Sequence, residues 1–183
     1  GMRPDLAATM LRAILGYGEN PLPEMTSLAE AHGIRLFSLP TVGREVDAFS
    51  FMFDGVPYIA VDPSKTAERV RFDIAHEIGH LMMHEMVSED VAAAGTRDIE
   101  GEAHSFAANL LMPKRRVLGM VPTYASVSQI LAAKRYFKVS AMAMARRAYE
   151  LGRLSEWEYR QVCSELTVQG YKSGEPRGLR PEQ

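Results

Sequence analysis

Residues 72 to 84 read Phe72-Asp-Ile-Ala-His-Glu-Ile-Gly-His-Leu-Met-Met-His84, and inside them His76, Glu77 and His80 form the pattern H-E-x-x-H. On a helix of about 3.6 residues per turn, side chains four positions apart lie one above the other, so His76 and His80 can hold one ion. Glu77 stands about 100 degrees around the helix from His76, where its carboxylate meets a water beside the ion rather than the ion itself. Two imidazoles for a metal and one carboxylate for a proton are the parts that hydrolysis of a peptide bond requires.

Such a helix must bury its other side. Val70, Ile74, Ile78 and Leu81 cluster opposite the histidines, which gives an amphipathic helix with one wet edge. Ser64, directly after Pro63, reads as the N-cap, with Glu68 in the first turns where the helix dipole favours a carboxylate. Gly79 costs roughly 1 kcal/mol relative to alanine inside a helix, which implies close approach of another backbone or of substrate. His84 lies one turn beyond His80. Successive steps of four drift by about 40 degrees, so His84 is expected to support the site rather than to bind the ion. Asp73, one turn before His76, either orients a ligand imidazole or is solvated helix charge.

Catalytic zinc usually takes three protein ligands, so a third is needed. Position 86, ten residues after His76, holds methionine and cannot serve. The next donors lie in Asp98-Ile-Glu-Gly-Glu-Ala-His-Ser-Phe-Ala-Ala-Asn-Leu-Leu-Met-Pro113, a second helical stretch stopped by its proline. Glu102 shares a face with Phe106 and Leu110, the apolar stripe that packs on the first helix, and is the expected ligand. Asp98 and Glu100 open the helix, where acidic residues are common for dipole reasons alone, and His104 falls off the stripe. These three are the alternatives.

The two segments, Glu68 to His84 and Glu100 to Pro113, together resemble the ImmA/IrrE family of metallopeptidases in order and spacing. The likeness covers roughly residues 25 to 155 and is strong only in these segments. It implies a zincin-like fold and zinc held by His76, His80 and Glu102, because in that family the acidic residue immediately before the alanine of the second segment supplies the third ligand. The family often carries asparagine where this chain has His104. The resemblance further implies a bacterial or phage-derived regulator that cleaves a helix-turn-helix repressor under stress, in some cases paired with a toxin-antitoxin-like partner. Two imidazoles and a carboxylate also accept Mn2+ or Fe2+ in place of Zn2+.

The remainder of the chain fits an α+β protein. The 183 residues, 46% of them apolar, suffice for one good core or a small core with an appended bundle. Helices are expected around Leu6 to Leu15 and Glu24 to His32. Strands follow at Ile34 to Ser38, Ala48 to Phe53 and Val56 to Val61, the last two joined by the hairpin signal Asp54-Gly55. A small antiparallel sheet ahead of the H-E-x-x-H helix results, and its edge strand can pair with an extended peptide.

Beyond Pro113 the charge balance reverses. Residues 1–112 carry 8 Lys and Arg against 17 Asp and Glu, and residues 113–183 carry 13 against 6. Residues 126–151 read as two helices joined near Phe137 to Ser140, with Ser140 capping the second, and a third helix runs from Ser155 to Val168. The pair resembles a helix-turn-helix. Its second helix, however, begins Ala-Met-Ala-Met-Ala and offers no hydrogen-bonding side chain to base edges, so Arg146 and Arg147 would reach phosphates at most. A packing or partner-docking module is expected rather than direct reading of nucleic acid.

The expected organisation is a peptidase core at 2–112, a helical module at 113–170 and a disordered tail at 171–183. The single cysteine, Cys163, suits a reducing compartment, and no apolar run is long enough to span a membrane, so a cytoplasmic location is expected. The expected function is a zinc endopeptidase acting on a helix-turn-helix repressor or a similar regulatory protein. The alternative is a DNA-binding or toxin-antitoxin-type regulator whose metal site is structural or masked.

Overall fold

The computed structural model describes residues 2–39, 48–84 and 98–181. Two helices, α1 (Pro4–Leu15) and α2 (Met25–Ala31), lead into strands β1 (Arg35–Ser38), β2 (Phe49–Phe53) and β3 (Val56–Val61). The H-E-x-x-H segment lies within α3 (Ala67–Met83), and the second segment forms α4 (Ile99–Leu111). Four helices complete the described residues: α5 (Lys114–Met120), α6 (Val127–Phe137), α7 (Ala141–Glu150) and α8 (Glu156–Val168). The protein is α+β, and none of its described helices is long and apolar enough to cross a membrane.

The sheet is mixed rather than antiparallel throughout. Its order is β1-β3-β2, with β2 antiparallel to β3 and β1 parallel to it. Asp54 (φ 50°) and Gly55 (φ 76°) both take left-handed conformations, which is the two-residue turn that folds β2 straight back along β3. β1 reaches β3 only through a connection that contains β2, long enough for the crossover that parallel pairing needs. Pro57 is tolerated in the central strand because the ladder with β1 begins one residue later, at Tyr58.

The N-cap of α3 falls two residues after the expected Ser64. The Asp62 carboxylate accepts hydrogen bonds from both the backbone N–H and the hydroxyl of Ser64, which holds that residue in a turn. Thr66 is the N-cap instead, accepting from the Arg69 N–H at 3.3 Å. Helix α4 runs antiparallel against α3, and a Cβ built on Gly79 would come within 2.8 Å of the Phe106 ring. The glycine therefore admits an aromatic side chain, not a backbone or substrate. Phe106, Ile74, Ile78 and Leu110 are buried in a cluster that continues into Ile130, Phe137, Met144 and Leu166 of the C-terminal helices.

Cations close the C-terminal end of α4. Arg12 Nε donates to the Leu110 carbonyl at 2.6 Å and Arg147 Nε to the Met112 carbonyl at 3.1 Å, favourable against the negative end of the helix dipole. Lys134 is 4% exposed and pairs with Glu175 at 2.8 Å. Glu175 also accepts from the Ala141 N–H at the start of α7, Glu68 accepts from the Leu179 N–H, and Arg69 donates to the Lys172 carbonyl. Residues 171–181 thus lie bonded along the body, where disorder was expected. A tail without apolar periodicity is ordered here by charge, because buried Lys134 requires a carboxylate. Residues 182 and 183 are outside the described ones.

Candidate metal centre

His76 and His80 project from the same edge of α3, their Nε2 atoms 3.1 Å apart. Glu100, in the first turn of α4, reaches across so that its carboxylate oxygens lie 3.1 Å from His76 Nε2 and 3.0 Å from His80 Nε2. Two imidazole nitrogens and a carboxylate converge on one point, where a cation between them would be bound by all three. Separations near 3 Å approach the edge of a tetrahedron with ligand bonds of about 2.0–2.1 Å. The donor set therefore fits one metal ion, and among the described residues it is the group of His, Cys, Asp and Glu so assembled.

Glu102 does not join that group. It faces α3, as the stripe with Phe106 requires, but its carboxylate lies 2.9 Å from His84 Nε2. The Glu100 carboxylate reaches back to His76 and His80, and that of Glu102 meets His84 at the end of α3. Glu100 is 71% exposed in its side chain and approaches the imidazoles from the solvent side. The remaining alternatives are engaged elsewhere: Asp98 is the N-cap of α4, accepting from the Gly101 N–H, and the His104 ring lies against Phe72 at 5.1 Å. Asp73 pairs with Lys65 at 3.2 Å.

Glu77 is 5% exposed on the face of α3 that meets the sheet. Burial pushes its carboxyl above the usual carboxylate range, opposed by a hydrogen bond of 2.6 Å from the Ser50 hydroxyl of β2. A carboxylate so held is a stronger base than a solvated one. Burial also holds the His80 imidazole below its ordinary range, against the pull of Glu100, a shift that favours the neutral ring a metal needs. Ser50 had no signal in the sequence beyond strand alternation, which turns it to the helix side while Phe49 and Phe51 turn away. The donors sit in a groove of about 1160 Å³ between β2 and the α3–α4 pair, with Phe72, Leu81 and Ile99 in its walls.

A helix-borne histidine pair, a carboxylate from the next helix and a buried glutamate beside an open groove are the parts of a metallopeptidase centre. Residues 29–149 match the Peptidase M78 family, the IrrE N-terminal-like domain, and the chain belongs to that metallopeptidase family. The ImmA/IrrE likeness read from the two segments is thereby shown. Comparison with curated proteins gives no match.

Proposed function

We propose that this chain is a zinc-dependent endopeptidase that cuts an extended segment of another protein, with a helix-turn-helix repressor or a similar regulatory protein as the expected substrate class. The observation that carries this reading is the convergence of His76, His80 and Glu100 beside buried Glu77 in an open groove. In this reading Glu100, not Glu102, is the third ligand. Two imidazoles and a carboxylate suit zinc, and manganese or iron would satisfy the same donors. A divalent ion held there supplies Lewis acidity toward the scissile carbonyl and raises the acidity of water at neutral pH.

The chain's own residues do the rest. Among the described residues β2 is an edge strand of the sheet beside the groove, placed to pair with an extended peptide and align it with the site. The Ser50 hydroxyl fixes Glu77 Oε2 and leaves Oε1 to take the proton of the attacking water. Glu77 then returns that proton to the leaving amine nitrogen as the C–N bond breaks. The basic C-terminal half is partly engaged internally: Lys134 and Arg147 are buried in bonds to Glu175, Met112 and Asn109, and Arg146 pairs with Glu150. This supports the peptidase reading over a DNA-binding one, while an antitoxin-like partner would act by covering the groove.

The test mixes the zinc-loaded protein with a helix-turn-helix repressor encoded beside its gene. One defined cut is expected, with Glu77→Gln retaining zinc and losing about 10²–10⁴ in rate. Cleavage at the wild-type rate by Glu77→Gln would show that Glu77 is not the base.

A further inference from the structure

A hydrogen-bonded chain leads away from one of the two histidines. His80 Nδ1 lies 3.0 Å from His84 Nδ1, and His84 Nε2 lies 2.9 Å from Glu102 Oε2. The His84 side chain is 4% exposed, so water does not compete for its ring nitrogens, and the Glu102 carboxylate is three-quarters buried. We propose that His84 and Glu102 form a positioning relay, in which the Glu102 carboxylate acts through the His84 imidazole to orient His80 and strengthen it as a metal ligand. The proposal rests on the ligand set His76, His80 and Glu100.

Its warrant is that one tautomer assignment satisfies every contact. If His80 binds through Nε2, its proton must sit on Nδ1, which then donates to His84 Nδ1. His84 must accept there, so its own proton sits on Nε2, which donates to the carboxylate of Glu102. No proton is left over and no lone pair faces another. A carboxylate at the far end of such a chain draws partial positive charge along it, making His80 Nε2 more electron-rich, and the buried middle ring fixes the plane of His80. A purely structural His84 would need only one partner. The same reasoning gives Glu102 a reason to face α3 without reaching the ion.

The experiment measures zinc affinity by competition with a chromophoric chelator. It also records the visible spectrum of the Co2+-substituted protein and the melting temperature of each metal-free variant. His84→Ala is expected to lose about 10–100-fold in zinc affinity. His84→Asn, whose amide oxygen can accept from His80 Nδ1–H, is expected to recover part of the loss. Glu102→Gln, which keeps an acceptor and removes the charge, is expected to fall between wild type and His84→Ala, with a shifted cobalt spectrum. The relay is overturned if His84→Ala and Glu102→Gln both bind zinc within about twofold of wild type, whatever their melting temperatures. Failure of the ligand set is a separate outcome: Glu100→Ala would keep its zinc while Glu102→Gln loses it.

Discussion

At the scale of single residues, the centre depends on two carboxylates treated in opposite ways. Glu77 is buried, tethered by Ser50 and pushed toward higher proton affinity, whereas Glu100 is mostly exposed and meets the imidazoles with both oxygens. Removal of the Ser50 tether should leave the metal site intact and free Glu77 to rotate. Ser50→Ala is therefore expected to keep full zinc content and to lower kcat about tenfold, less than the about 10²–10⁴ lost with the base itself. An unchanged kcat would mean that packing alone holds Glu77. The placement of His76, Glu77 and His80 was legible because it follows from their positions on one helix. Which of Glu100 and Glu102 lies against His76 and His80 was not, since periodicity gives the direction of a side chain around its helix but not how far it reaches along a neighbour.

Between elements, the contact of Phe106 with Gly79 sets how closely α3 and α4 approach. Gly79→Ala would gain roughly 1 kcal/mol of helix propensity but would push a methyl group into the ring. Overpacking of this kind costs about 1–3 kcal/mol, so the net change is expected to lower Tm by a few degrees and to weaken zinc binding as the helices part. A higher Tm would show that Phe106 rotates aside freely. Helix and strand positions were mostly evident from periodicity and turn chemistry: Asp54-Gly55 made its hairpin and Ser140 its cap, accepting from the Ala143 N–H. The parallel pairing of β1 was hidden, because strand order depends on contacts between distant segments.

Across the whole molecule, the tail joins the core to the C-terminal helices through buried charge. Lys134 of α6 lies 2.8 Å from Glu175 and 4.0 Å from Glu68 of α3, so three distant parts of the chain meet at one cation. Loss of one partner from such a group leaves an uncompensated buried charge, at a cost of about 3–5 kcal/mol where the remaining carboxylate cannot compensate. Glu175→Ala is expected to lower Tm markedly and to expose the backbone of residues 172–181 to hydrogen exchange. Exchange rates like those of wild type would show that the tail is held by other contacts. Composition foretold the basic half but not its use, because three of its cations, Lys134, Arg146 and Arg147, close bonds within the fold.

The most direct measurement is an anomalous-difference map at the zinc absorption edge from crystals of the zinc-loaded protein. One peak is expected about 2.0–2.2 Å from His76 Nε2, His80 Nε2 and a Glu100 oxygen, with Glu102 bonded to His84. A peak coordinated by Glu102, or none between the two imidazoles, would contradict the account.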